Sequence, residues 1–248
     1  MSCTARLTPA MALSCTGSIH SVFPHAVNAM MTLPGGETRL LTLTGPDAPR
    51  LPDSVCIPAF SHLAFETGMP VCLNEAMLSV AGICWPITRD AQWSGCIPAY
   101  HSAPDLKTLQ HLTEGLSTGF ERFPAALRRR AEEALCSSHA GSFIGLGSGL
   151  TPSYDDALVG TMAFYRAKGL PPPWDALDCT ETTDVSARYL RLASEGYFGE
   201  PLCQLMEALH VQADLTAAVR QLIQVGASSG CDMLHGVLIA CKTLYPNT

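Results

Sequence analysis

The chain has 248 residues, a formal net charge of −7, and 47 % hydrophobic but only 15 % charged residues, where about 25 % charged is usual for soluble domains. That length suffices for one large or two modest domains. The acidic balance, with no basic block beyond Arg128-Arg129-Arg130, excludes nucleic acid as a partner, and no apolar run approaches the ~20 residues of a membrane helix.

The shortage of charge points to extra buried surface, most simply a subunit interface, so an oligomer or a complex is expected. None of the eleven cysteines falls in a C-x-x-C pair. Met1 to Ser18 carries one Arg, and its apolar stretch (Ala10 to Leu13) is too short for a signal peptide. Reduced, mostly buried thiols in a cytoplasmic protein follow.

Residues 1–17 read as a loose tail, and residues 18–103 as a β-rich domain, a small barrel or sandwich. Ala26 to Leu33 and Thr38 to Thr44 flank Pro34-Gly35-Gly36-Glu37, a hairpin turn. Val71 to Leu73, Met77 to Val80 and Ile83 to Ile87 are further short strands, and His62 to Thr67 a helical turn. Residues 104–248 change period and read as an all-α domain of about seven helices, so the fold class is α+β. Apolar spacing predicts helices on Leu106/Leu109/Leu112/Leu116, from Phe123 to Cys136, from Thr151 to about Lys168, from Thr183 or Asp184 through Leu192, and on Leu202/Leu205/Met206/Leu209. Two more follow, on Leu215/Val219/Leu222/Ile223 and from Ser229 to about Leu244. Leu170 to Thr180, with its three prolines, is a stiff connection.

The organising stretch is Gly145-Leu146-Gly147-Ser148-Gly149-Leu150-Thr151-Pro152-Ser153-Tyr154-Asp155-Asp156. Pro152 pushes Thr151 out of the α region and suits the first helical position, so Thr151 is expected as the N-cap. Alternate glycines let the backbone approach a ligand, and a helix start offers free N–H groups; together they make an anion site. Asp155 and Asp156 would repel a bare phosphate unless a cation or a substrate ammonium or amide lies between. They point about 100° apart on a helix, so one faces the ligand while the other caps or pairs.

The last helix repeats this start. Ser229-Gly230-Cys231-Asp232-Met233-Leu234-His235-Gly236 and Ser153-Tyr154-Asp155-Asp156-Ala157-Leu158-Val159-Gly160 both read S-x-x-D-x-L-x-G. The bland account is two capping-box-like helix starts, each with a glycine for close packing. If the starts converge, Asp155, Asp156 and Asp232 line one pocket with Gly145, Gly147, Gly149, Thr151, Ser153, Ser228 and Ser229. No cofactor is firmly indicated; Mg²⁺ on Asp156 and Asp232 is the candidate. Asp156, the repeat partner of Asp232, is the better of the adjacent pair for the ligand role. His139 is a candidate acid or base, more simply a bystander, and His235 reads as a packed core residue. Arg188 or Arg191 is a candidate cation for an anionic substrate, and Ser186 and Tyr189 candidate polar contacts. There is no serine-hydrolase elbow, P-loop, Rossmann fingerprint or metal-ligand histidine pair.

The stretch from Gly145 to Gly160 resembles the hallmark G-x-G-x-G-L-T-P-S-G-D-D-x-L-x-G of a bacterial family, the AllH subunit of oxamate carbamoyltransferase. Ser186 to Phe198 and Gly226 to Gly236 support the resemblance, which extends over about residues 140–245. Tyr154 stands where the family has glycine, and is expected to narrow the pocket or reach into it. The resemblance implies a subunit working with AllF- and AllG-type partners in allantoin and purine nitrogen use. The reaction implied joins carbamoyl phosphate and oxamate to oxalurate and phosphate, run physiologically towards carbamoyl phosphate. Two other readings stay open at this level: a non-catalytic scaffold, and a helical domain whose carboxylates hold a Mg²⁺–nucleotide.

Overall fold

A computed structural model describes residues 5–7, 14–89, 93–211 and 213–246. The chain divides into units of residues 1–95 and 96–248.

The first unit holds β1 (Ala5–Leu7), β2 (Cys15–Val22), β3 (Ala26–Thr32), β4 (Thr38–Thr44), β5 (Ser54–Cys56), β6 (Pro70–Leu73), β7 (Met77–Val80) and β8 (Ile83–Arg89). They close into a barrel in the order β1-β5-β4-β3-β2-β6-β7-β8, with β8 returning parallel to β1. The hairpin expected around Pro34 is the β3–β4 pair, in register from Ala26↔Thr44 to Thr32↔Thr38. Gly36, at φ 83°, makes its tight turn. Strand alternation sends Val27, Ala29 and Met31 of β3 inward to meet Ile19, Leu41, Leu43, Val71 and Trp85 in the barrel core. On the opposite face of β3 and β4, Thr42 donates a hydrogen bond to Asn28 at 3.0 Å, so this buried polar pair satisfies itself.

β1 and the first residues of β2 fall in the stretch read from sequence as a tail; residues 1–4 and 8–13 lie outside the described residues. β2 alternates only weakly, with Gly17, Ser18, His20 and Ser21 among its eight residues, and its pairing with β3 and β6 organises it. The helical turn expected at His62 to Thr67 is instead a 3₁₀ turn at Phe60–His62.

The second unit is helical: α1 (Leu106–Thr113), α2 (Ala125–Ala134), α3 (Ser153–Ala167), α4 (Asp184–Ser194), α5 (Glu200–Val211), α6 (Leu215–Ile223) and α7 (Ser229–Leu244). Residues 96–103 go with it, Tyr100 donating its N–H to Ala167 at 2.6 Å and Cys96 bridging to Tyr197. Among the described residues no helix is long and apolar enough to cross a membrane.

α3 is the axis of this unit. Every one of its residues except Arg166 is buried, as a helix enclosed on all sides requires. Its main neighbour is α7, and the two touch backbone to backbone. A Cβ on Gly160 would lie 1.9 Å from the Met233 carbonyl oxygen, and one on Gly236 would lie 1.8 Å from that of Ala157. Thr151 does not cap α3. Pro152 takes the N-cap position, with no side-chain bond, and the Leu146 carbonyl folds back to accept the Tyr154 N–H at 3.0 Å. The Thr151 hydroxyl is used elsewhere, 2.9 Å from that of Ser229. Thr183 does cap α4, accepting from the Ser186 N–H.

Candidate functional site

The glycine loop is held mainly by the protein itself. Gly145, Gly147 and Gly149 have φ of 84°, 136° and 95°, where side chains are strained. A Cβ on Gly145 would meet the Glu181 carbonyl oxygen at 2.1 Å, and one on Gly147 the Ser153 nitrogen at 2.4 Å. Only Gly149 faces open space. The Leu146 carbonyl over the start of α3 takes the Tyr154 N–H expected to serve an anion, and of the loop only residues 147–149 are exposed.

Adjacent in sequence, Asp155 and Asp156 have separate tasks. The Gly145 N–H donates to Oδ1 of Asp155 at 2.8 Å, and the Thr182 and Ser186 hydroxyls donate to its Oδ2. Asp155 is thus a clamp that binds the glycine loop to the start of α4. A second tie joins the same segments, where the Thr183 hydroxyl donates to the Leu150 carbonyl.

Asp156 instead belongs with Asp232. Both carboxyls are buried, at 3 % and 0 % exposure. The hydroxyls of Ser229 and Thr151 lie close enough to Asp156 to favour its ionised form. Asp232 accepts the Gly119 N–H at 2.8 Å, with the Ser153 and Ser228 hydroxyls acting in the same sense. The repeat is therefore reciprocal. Asp156 of α3 is served by Ser229 of α7, Asp232 of α7 by Ser153 of α3, and each helix presents its glycine to the other's backbone.

The electrostatics of the pair are unusual. Burial drives the Asp156 carboxyl up to about 8; the Ser229 and Thr151 hydroxyls oppose this, and the negative charges of Asp232 and Asp155 add to it. Burial raises Asp232 as well, against its hydrogen bonds and the nearby His235. Oδ2 of each residue has no hydrogen-bond partner among the described residues. Two buried, unsatisfied carboxyl oxygens at one helix crossing are costly unless something else satisfies them. Thr151, Ser228 and Ser229, whose hydroxyls act on the pair, are half-exposed.

Other sequence candidates fall elsewhere. Tyr154 is not at the pocket. It is fully buried, its hydroxyl donates to the Ala140 carbonyl at 2.9 Å, and its ring lies against Phe120 and Phe143. A phenol fits the core there because its one polar atom finds a carbonyl. His139 is exposed, its backbone N–H resting on the Ser137 hydroxyl, and Arg188 is buried on α4 and already engaged by its neighbours. His235 is half-buried one turn beyond Asp232, with Nε2 3.0 Å from Glu132 and its ring against Phe120. A cleft of about 600 Å³ between Ser138–Ser142 and Pro172–Asp178 includes none of the three aspartates.

Sequence reasoning missed the 3₁₀ turn Gly119–Arg122, whose first N–H holds Asp232 and whose Arg122 Nη1 reaches the Ser148 hydroxyl at 3.5 Å. The available signal was Phe120, a large apolar residue beside a glycine in a stretch without helical period. For Mg²⁺, the donor set is two carboxyls and a few hydroxyls. Among the described residues no group of three His, Cys, Asp or Glu side chains could hold a metal ion. A Mg²⁺ on Asp156 and Asp232 would draw the rest of its octahedron from substrate and water.

Comparison with known families gives two matches. The sequence profile of the oxamate carbamoyltransferase subunit AllH matches residues 143–241, the glycine loop through most of α7, and that of the AllH family N-terminal domain matches residues 2–92. No solved structure matches the chain.

Proposed function

Because the chain belongs to the AllH family of oxamate carbamoyltransferase subunits, we propose that the crossed starts of α3 and α7 form part of that enzyme's substrate site. The observation that carries this reading is the pair of unpartnered, buried Oδ2 atoms on Asp156 and Asp232. Carbamoyl phosphate, oxamate and oxalurate each join an amide-type N–H and C=O to an anionic group. Such a ligand brings both a donor and an acceptor to two carboxyl groups that need them.

The chemistry asks little covalent work of the protein. The amide nitrogen of oxamate attacks the carbamoyl carbon, the C–O bond to phosphate breaks, and its electron pair leaves on the phosphate oxygen. The proton lost from nitrogen ends on the departing phosphate, giving oxalurate and hydrogen phosphate; the reverse run yields carbamoyl phosphate. A carboxyl pushed up to about 8 is largely neutral at pH 7, so Asp156 donates a hydrogen bond to the carbonyl oxygen where negative charge gathers. Asp232, held from the other side by the Gly119 N–H, accepts an N–H of the substrate and fixes its orientation. Positioning and charge stabilisation suffice, in keeping with the lack of a nucleophile motif. AllF- and AllG-type subunits complete the assembly, which serves purine and allantoin nitrogen use.

The test is oxalurate formation by the complex reconstituted from this chain and its partner subunits. Asp156→Asn is expected to lower kcat by about a hundredfold or more, the scale of losing one oriented stabilising group, while the complex still assembles. Wild-type turnover in that variant would make the chain a scaffold at this position and refute the site.

A further inference from the structure

The proposed site is short of positive charge: His235 acts on Asp232, no basic side chain among the described residues acts so on Asp156, and the chain as a whole carries a net charge of −7. A ligand with a carboxylate or phosphoryl group needs a local positive charge to enter such a field. Resting on the substrate site proposed above, we infer that Arg122, with the Ser148 hydroxyl and the open face of Gly149, is its anion subsite, which takes the oxyanion end of the substrate and turns the amide end towards Asp156 and Asp232.

The 3₁₀ turn that carries Arg122 is built into the site. Its first residue, Gly119, donates to Asp232, and a Cβ there would lie 1.8 Å from the Ser153 hydroxyl oxygen, so the turn is pressed against residues of both helix starts. Phe120 anchors it, fully buried with its ring near those of Phe123, Tyr154 and His235. Arg122 emerges at the other end, exposed, and reaches the rim of the glycine loop at Ser148. That 3.5 Å contact is the one hydrogen bond its guanidinium makes among the described residues. The adjacent acid, Glu121, is bonded by the Ser117 hydroxyl at 2.6 Å. A guanidinium offers five N–H donors in a planar fork that matches carboxylate and phosphate oxygens. Next to Ser148, Gly149 has its α-carbon open to solvent, leaving room for an oxyanion against the backbone. Along the same loop Thr151 joins Ser229 and lies close to Asp156, so anion rim and carboxyl pair share one short segment.

The experiment uses the reconstituted complex, with KM and kcat measured for oxamate and for carbamoyl phosphate, and inhibition measured with inorganic phosphate. Arg122→Met is expected to raise KM for an anionic substrate about tenfold to a hundredfold, the scale of one or two charge-assisted hydrogen bonds, with a much smaller change in kcat. Arg122→Lys should recover part of the loss, keeping the charge without the fork. A rise confined to oxamate assigns the carboxylate to this subsite; a rise in KM for carbamoyl phosphate with weaker phosphate inhibition assigns the phosphoryl group. Unchanged constants in Arg122→Met, beside lost turnover in Asp156→Asn, overturn the anion subsite alone. Unchanged constants in both overturn the substrate site and this inference with it. Should Arg122→Met fail to assemble, Arg122→Gln is judged by the same criteria.

Discussion

Asp156→Asn should make the protein more stable at pH 8, whatever it does to activity. In the folded chain burial raises this carboxyl from 3.8 to about 8. The native state therefore binds the proton more tightly than the unfolded chain does. Its stability is fullest below about pH 4 and is lost as pH rises towards 8, where the native state must also ionise. Each unit of difference corresponds to about 1.4 kcal/mol, so between pH 5 and pH 8 the wild type should lose about 3–4 kcal/mol through this one group. Asparagine keeps the shape and cannot ionise, so the variant should match the wild type only below about pH 4, and its advantage should grow by that margin between pH 5 and pH 8. Urea unfolding of the full chain at pH 5, 6, 7 and 8, with m-values compared at each pH, reads the difference. Parallel profiles for the two proteins would refute the buried, cation-free environment assigned to Asp156.

The glycine crossing predicts strong coupling. Gly160→Ala and Gly236→Ala should each cost about 3 kcal/mol, because the new methyl meets a carbonyl oxygen that cannot rotate away. The double variant should cost clearly less than the sum, since helices already forced apart admit the second methyl cheaply; additive urea midpoints would count against the shared contact. Tyr154→Phe should lose about 1–2 kcal/mol, leaving the buried Ala140 carbonyl without its donor. Carbamoyl transfer by the complex should stay at the wild-type rate, and a fall of tenfold or more would place the phenol at the site after all.

The helical half was legible because its elements announce themselves locally. Each of the seven expected helices is present, and Thr183 caps α4 as its position suggests. The barrel was legible where a tight turn joins β3 to β4, and illegible in β2 and β5. β2 mixes polar residues with few apolar ones, and β5 has three residues. β2 takes its form from the next strand, β3, and from the more distant β6, and β5 takes its form from β1 and β4, relations that their own residues do not record. The repeated S-x-x-D-x-L-x-G was visible, but its serines looked like caps for their own helices. In the folded chain each serves the aspartate of the other helix, a relation set by the crossing. The division of labour between Asp155 and Asp156 hangs on Thr182 and Ser186, and Arg122 enters through Phe120; all lie beyond the reach of a spacing argument.

The contact of α3 with α7 through main-chain atoms has a further consequence. Because glycine meets carbonyl on both sides, the separation of Asp156 and Asp232 is a property of two polypeptide backbones, with no long side chain acting as a spacer. Such a pair is a rigid gauge. A ligand seated on it gives up its own freedom but orders little of the protein, so binding should be fast and carry a small conformational entropy penalty. The gauge also has a fixed aperture. A larger acyl group would have to be admitted by changes at the rim, among Ser148, Gly149 and Arg122, and a shift in acceptor preference should arise there before it arises at the crossing.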